Sequence, residues 1–212
     1  AGEAGQGFMN IAIAAAGRLK GGAAKVSVIS SALFGSISGS ASANVASTGM
    51  VTLPTMIKLG YSKKIAGAVE AVASTGGQIM PPLMGAGAFI MVELTGIPYS
   101  QIIIAAFIPA LLYFFAIWIG VNRYAELYDL KPYKVEMLPQ ISTVIKTALF
   151  FLIPFSVLLA FMYSGYTPQF SAAIAILSGL LLLFFDINLN FSWKTTKTRI
   201  VNASLFAGRQ VS

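Results

Sequence analysis

The sequence contains neither cysteine nor histidine and has few charged residues. The absence of these two residue types excludes disulfides, thiolate catalysis, the usual zinc sites and imidazole proton relays. Lys and Arg number 14 and Asp and Glu 7, so charged residues make up 10% of the 212, whereas a soluble domain has about a quarter. The sequence also lacks a catalytic triad, a carboxylate pair and a Walker-type phosphate loop. We therefore do not expect an enzyme.

Four long runs carry no charge, at 26–57, 71–92, 94–122 and 147–185. Uncharged apolar runs longer than about 18 residues are candidates for membrane-spanning helices. The net charge of +7 does not indicate a nucleic-acid partner, because the cations lie in small clusters between the apolar runs. The composition predicts an all-α, polytopic integral membrane protein in contact with lipid.

The positions of the cations indicate how the chain runs through the membrane. All 14 fall into four clusters: Arg18, Lys20 and Lys25; Lys58, Lys63 and Lys64; Arg123, Lys131, Lys134 and Lys146; Lys194, Lys197, Arg199 and Arg209. Short cytoplasmic loops collect Lys and Arg, so we expect all four clusters inside. This rule predicts spans at 65–92 and 101–121, a cytoplasmic arm along the membrane surface at 123–146, and spans at 147–164 and 169–185.

The run at 26–57 does not fit one simple span. It is long for one crossing and short for two, because each crossing takes about 20 residues. From Ser30 to Gly49, fifteen of twenty residues are Ser, Thr, Gly or Ala, which favour close helix packing inside a protein rather than a lipid-facing surface. We predict a re-entrant helical hairpin that enters and leaves on the cytoplasmic side.

Two places break the helical pattern within the predicted membrane region. The first is Gly35-Ser36-Ile37-Ser38-Gly39-Ser40-Ala41, the expected hairpin tip, and the second is Ser74-Thr75-Gly76-Gly77-Gln78-Ile79-Met80-Pro81-Pro82, within the next span. Paired glycines and prolines do not continue a regular helix, so the second place predicts two half-helices around an unwound stretch. Secondary transporters build ion and substrate sites from such discontinuous helices. The competing interpretation is that the serines are packing contacts and the second break a kink.

The distribution of acids indicates the coupling ion. Proton-coupled carriers commonly place Asp, Glu or His within the membrane. In this sequence only Glu70 could lie at membrane depth. It lies six residues after Lys64, about 9 Å along a helix, so we expect a hydrated carboxylate at the membrane interface. Neutral oxygen ligands suit sodium, and we predict Na⁺ coupling.

These motifs resemble those of a known family. The tip sequence, Gly67-Ala68-Val69-Glu70-Ala71, the Gly-Gly and Pro-Pro segment and Gly96-Ile97-Pro98-Tyr99 are similar to the large membrane subunit of the tripartite ATP-independent periplasmic (TRAP) transporters. The resemblance is strong over residues 7–132 and looser beyond. It is nearest to the branch in which small and large membrane subunits are fused, which commonly works with TAXI-class binding proteins.

The resemblance implies a multi-pass carrier of organic anions in a bacterial or archaeal inner membrane. It would work by an elevator mechanism with a periplasmic solute-binding protein and a small membrane subunit fused in the full-length chain. The present residues would contain the hairpin and broken helix of the first of two inverted repeats and then the spans that link to the second, with residues 207–212 leading into it. The implied Na⁺ ligands, largely carbonyl oxygens, are Ser38, Gly39, Ser40, Ala41, Gly77, Met80 and Pro82.

By the same resemblance, Ser40 and Asn44 are the candidates for contact with the substrate. Relatives often have a serine directly after the Pro-Pro pair, where this chain has Leu83, so a hydroxyl role there is not carried over. The alternative functions are a passive anion channel and a proton-coupled carrier. A membrane scaffold without transport is a third.

Overall fold

The computed structural model describes residues 2–133 and 138–182. It contains eight helices in this part of the chain: α1 (Gly2–Ala16), α2 (Gly22–Ser38), α3 (Ala41–Lys58), α4 (Lys63–Gly76), α5 (Ala86–Thr95), α6 (Tyr99–Leu127), α7 (Ile141–Tyr163) and α8 (Pro168–Leu182). The chain divides into two compact units, Phe8–Pro139 and a second made of Ala1–Gly7 with Gln140–Ser212. The predicted all-α fold class is confirmed for the described residues.

Helices α2 and α3 form a hairpin over most of the run predicted to be re-entrant. Gly39 ends α2 in the left-handed conformation, with φ of 58°, and its N–H returns to the carbonyl of Gly35. Ser40 then caps α3 by accepting the Ala43 N–H, so only two residues make the turn. The hairpin shape places the turn within the predicted tip at 35–41, whereas its entry and exit on one side of a membrane stays a prediction.

The predicted span at 65–92 consists of two separate helices. Helix α4 runs from Lys63 to Gly76, and α5 begins at Ala86 and ends at Thr95. Between them, residues 77–85, here called the break segment, contain the Pro81-Pro82 pair, joined by a cis peptide bond. Helices α2, α3 and α4 pack against one another in one bundle.

Helix α6 is longer than the predicted span at 101–121. It continues to Leu127, and side chains of its last turns contact one another: Glu126 pairs with Arg123 at 2.9 Å and accepts a bond from Asn122 at 2.6 Å. Helix α6 also contacts α2: Lys25 of α2 is buried and donates to Asn122 Oδ1 at 2.5 Å.

The bounds of the predicted surface arm at 123–146 differ in the structure, whereas its position along a membrane surface stays a prediction. After α6 the chain packs back onto its own unit: Leu130 and Tyr133 are buried, and the Tyr133 N–H donates to the Gly17 carbonyl at 3.0 Å. The end of the arm is already helical, because α7 begins at Ile141 rather than at residue 147. Residues 134–137 of the arm lie outside the described part of the chain.

The second unit contains α7 and α8, which pack against each other as an antiparallel pair joined by a turn at Ser164 and Gly165. They occupy most of the predicted spans at 147–164 and 169–185, of which residues 183–185 lie outside the described residues. Helix α6 is long and apolar enough to cross a membrane by itself. The remaining crossings and their direction stay predictions.

Candidate functional site

The hairpin tip packs against the break segment through main-chain contacts. A Cβ atom built on Gly35 of α2 would lie 2.2 Å from the Gly77 Cα, and one built on Gly39 would lie 1.7 Å from the Met84 carbonyl oxygen. Real Cβ atoms do not approach other atoms so closely, so both contacts require glycine. The two irregular elements that the sequence singled out are therefore in contact.

Hydrogen bonds fix the end of the break segment. The Leu83 N–H donates to the Ser36 carbonyl at 3.1 Å, which ties the segment to the hairpin. From the start of α6, the Tyr99 hydroxyl lies 3.0 Å from the Pro82 carbonyl oxygen and 2.6 Å from that of Leu83. No sequence pattern indicates this role for Tyr99, because its contact depends on the return of α6 toward the break segment.

Four of the predicted Na⁺ ligands form the tip itself. Ser38 ends α2, Gly39 and Ser40 make the turn, and Ala41 begins α3. Within the described part of the chain, the carbonyl oxygens of Ile37 and Ser38 accept no hydrogen bond. The tip thus carries unpaired main-chain oxygens next to the N-terminus of a helix.

The other three predicted ligands lie in the break segment. From Gly77 to Met80 each N–H donates to the carbonyl three residues back, so the stretch forms tight turns where the sequence predicts unwinding. The Gly77 carbonyl accepts from the Met80 N–H at 3.3 Å, and the Pro82 carbonyl accepts from Tyr99. The carbonyl oxygens of Gly77 and Pro82 each keep one lone pair, which is the one that an ion would use.

Asn44 lies away from the solvent-exposed side of the tip. Its side chain is fully buried, and its amide donates to the carbonyls of Ser31 at 2.9 Å and Ser74 at 3.5 Å. Its Oδ1 is 3.3 Å from the Thr48 hydroxyl. Asn44 therefore joins α2 and α4 to α3, and in this arrangement both amide hydrogens are used within the chain. Ser40, by contrast, is half-buried.

The prediction of a hydrated Glu70 is wrong, whereas its location at the membrane interface stays a prediction. Only 1% of this residue is exposed, because α2 and α3 cover the face of α4 on which it lies. Four hydroxyl groups contact its carboxyl oxygens: Ser27 at 2.7 Å, Thr48 at 2.6 Å, Thr52, and Ser74 at 3.4 Å. Across the described residues, the ion pairs involve other acids, Glu126 and Asp129. We call Glu70 and these four residues the hydroxyl cluster.

Residue spacing contains a signal for this cluster that the sequence analysis missed. Thr48 and Thr52 are four residues apart on α3, and Glu70 and Ser74 are four apart on α4. Residues at this spacing share a helix face, so two polar faces were available to meet. Distance along the helix from Lys64, the basis of the prediction, carries no information about what covers a face.

Comparisons with known proteins agree with the motifs. Residues 1–209 match the family model described as "Tripartite ATP-independent periplasmic transporter, DctM component". The chain is 26% identical to the uncharacterized protein y4mL of Sinorhizobium fredii over 98% of its own length and 49% of that protein. It is 28% identical to the C4-dicarboxylate TRAP transporter large permease protein DctM of Vibrio cholerae, over 79% of the chain and 37% of the relative.

A third relative matches the chain over a shorter stretch. The isethionate TRAP transporter permease protein DctMQ of Oleidesulfovibrio alaskensis is 37% identical over 35% of the chain and 12% of its own length. The chain spans about half or less of the length of these relatives.

Proposed function

The chain belongs to the DctM component family of the tripartite ATP-independent periplasmic transporters, and we propose that it forms part of a sodium-coupled carrier that imports an organic anion. The family predicted from the motifs is thereby confirmed. It is a family of multi-pass permeases of the inner membrane rather than of enzymes. The proposed activity is that of the full-length protein, of which the present residues supply the hairpin and the broken helix.

The contact between the hairpin tip and the break segment carries the proposal. Discontinuous helices that meet in this way provide main-chain oxygens to a cation inside a protein. We assign the Na⁺ to the tip oxygens of residues 38–41 together with Gly77, Met80 and Pro82. Carbonyl oxygens are neutral and hard, which suits a small monovalent cation that must be both bound and released.

The solute is proposed to bind beside the tip. The N-terminus of α3 begins at Ala41 and carries a partial positive charge, which favours an anion. Ser40, half-buried at this end, is our candidate for direct contact. Asn44 would supply an amide hydrogen to the solute only if it gave up its bond to Ser31 or Ser74.

The proposed partners are a periplasmic solute-binding protein and a small membrane subunit. Two relatives support an organic anion as the solute: the Vibrio cholerae protein is named a large permease protein for C4-dicarboxylates, and the DctMQ protein an isethionate permease. Both named solutes are organic anions. We infer that the small subunit is fused in the full-length chain and that transport follows an elevator mechanism.

The test is uptake by the full-length protein in proteoliposomes, with its binding protein and a radiolabelled C4-dicarboxylate. We expect Ser38→Ala to raise the half-saturating Na⁺ concentration about tenfold, or about 1.4 kcal/mol. The substitution removes the hydroxyl that accepts the Ser40 N–H at 3.4 Å and so loosens the turn that presents the tip carbonyls. Ser178→Ala is the matched control, because in the described part of the chain that hydroxyl bonds only to the Ala175 carbonyl of its own helix. Equal Na⁺ dependence in the two variants would reject the site. Gly77→Leu is unsuitable, because a side chain there meets Gly35 and Asn44.

A proton-coupled carrier is the second candidate, and Glu70 is the observation that favours it. The choice of sodium rested partly on the scarcity of buried acids, and this carboxyl is buried among hydroxyls. Uptake driven by an inward proton gradient in sodium-free buffer would support the second candidate and contradict the first.

A further inference from the structure

Glu70 is held by residues from three different helices. Ser27 belongs to α2, Thr48 and Thr52 belong to α3, and Ser74 lies one turn after Glu70 on α4. Glu70, Thr52, Ser27 and Ser74 are each 1% exposed or less. One carboxyl group therefore links the two arms of the hairpin to the first half of the broken helix.

The hydroxyl cluster continues directly to the hairpin–break contact. Thr48 Oγ1 is 2.6 Å from Glu70 Oε1 and 3.3 Å from Asn44 Oδ1, so it lies between them. The Asn44 amide in turn donates to the Ser74 carbonyl, in the last turn of α4. Its nitrogen is also only 2.9 Å from the position of a Cβ on Gly77, so it adjoins the break segment.

We propose that Glu70 is a positioning residue, which acts through Thr48 to orient the Asn44 amide and so fixes the hairpin against the break segment. The inference rests on the proposed function, because the geometry that Glu70 fixes is that of the proposed ion and solute site. Glu70 itself contacts none of the predicted Na⁺ ligands.

The number of hydroxyl hydrogens in the cluster distinguishes a positioning role of Glu70 from a role that requires its negative charge. Thr48 has one hydroxyl hydrogen but faces three acceptors: Glu70 Oε1 at 2.6 Å, the Asn44 carbonyl at 2.9 Å and Asn44 Oδ1 at 3.3 Å. It donates to Asn44 Oδ1 only when residue 70 donates to it. A glutamine at position 70 with its amide nitrogen in place of Oε1 donates to Thr48, which can then give its one hydrogen to Asn44 Oδ1. The glutamine oxygen, in place of Oε2, still accepts from Ser27 and Thr52. Positioning therefore survives Glu70→Gln.

The first experiment compares Thr48→Val with Asn44→Ala in the reconstituted full-length carrier. Valine keeps the shape of threonine without its hydroxyl. We expect Thr48→Val to raise the half-saturating solute concentration about tenfold while the maximal rate changes less than about twofold. In an Asn44→Ala background the same substitution should have almost no further effect, because both act through one contact. Thr75→Val is the matched control, since among the residues that the structure describes that exposed hydroxyl bonds only to the Ala71 carbonyl.

The second experiment tests Glu70→Gln. We expect uptake within about threefold of the unaltered carrier and the same dependence on pH. Loss of uptake would overturn the proposal if thermal unfolding shows that the variant is folded, because the carboxyl group itself would then be required. Additive effects of Thr48→Val and Asn44→Ala would also overturn it.

The outcome is separable from that of the proposed function. Sodium coupling is judged on the unaltered carrier, by its uptake with and without a Na⁺ gradient. The positioning role is judged on solute half-saturation among variants at one fixed driving force, so each can fail while the other holds.

Discussion

Two carboxyl groups in the same unit have opposite surroundings. Glu70 is buried and is contacted by four hydroxyls, whereas the side chain of Asp129 is 89% exposed and pairs with Lys20 at 2.7 Å. The hydrogen bond and the charge of Lys20 hold the pKa of Asp129 below its ordinary value. Both acids lie within six residues of a lysine in the sequence. Sequence proximity to a cation therefore does not determine whether an acid is paired with one.

The difference also predicts how much each group contributes to stability. A buried polar group that loses its partner costs about 1–3 kcal/mol, because water cannot replace that partner. An exposed ion pair is worth little, since water and salt screen it. Changes to the hydroxyl cluster should therefore be far more damaging than changes to the Lys20–Asp129 pair.

The largest effect is expected from Glu70→Leu. This substitution leaves four buried hydroxyls without their shared acceptor and should lower the free energy of unfolding by about 2–4 kcal/mol. Thermal unfolding of the full-length protein in detergent measures it. An unfolding midpoint equal to that of the unaltered protein would mean that the cluster is not a stabilising network.

A smaller loss is expected from Thr52→Val. One contact to Glu70 disappears while the packing volume is kept, so we expect a loss of about 1 kcal/mol. Thr75→Val, which removes an exposed hydroxyl, should leave the unfolding midpoint unchanged. Equal effects of the two substitutions would remove the distinction between buried and exposed hydroxyls.

The smallest effect is expected from Lys20→Ala at the exposed pair. At neutral pH the unfolding midpoint should stay within about 1 °C of the unaltered value. Because the pKa of Asp129 is lowered in the fold, the small stabilisation is present above the ordinary pKa of aspartate and is lost as the pH falls through the lowered value. Any difference between the two proteins should thus vanish in acid, and a difference that grows there would contradict this assignment.

The hairpin and the break were predictable because local chemistry determines them. The small-residue run placed the tip, and the turn occurs at Gly39 and Ser40 within it. The glycine and proline pairs marked the end of α4, which stops at Gly76. Backbone geometry and missing N–H groups act within a few residues, so the sequence contains this information directly.

The burial of Glu70 and the packing of the chain after α6 were not predictable in the same way. Glu70 is covered by helices that precede it by about 20 and 40 residues, and Tyr133 bonds to Gly17 across more than 100. Such contacts depend on how helices are placed in space. The extension of α6 is an intermediate case, because the spacing of Arg123 and Glu126 allows a helical pair but does not require one.

The most direct test of the central claim is solute uptake by the unaltered full-length carrier, measured with its binding protein at equal pH inside and outside the vesicles. We predict that an inward Na⁺ gradient drives accumulation and that replacing Na⁺ with K⁺ abolishes it. Accumulation that continues without Na⁺ and follows an inward proton gradient would contradict sodium coupling.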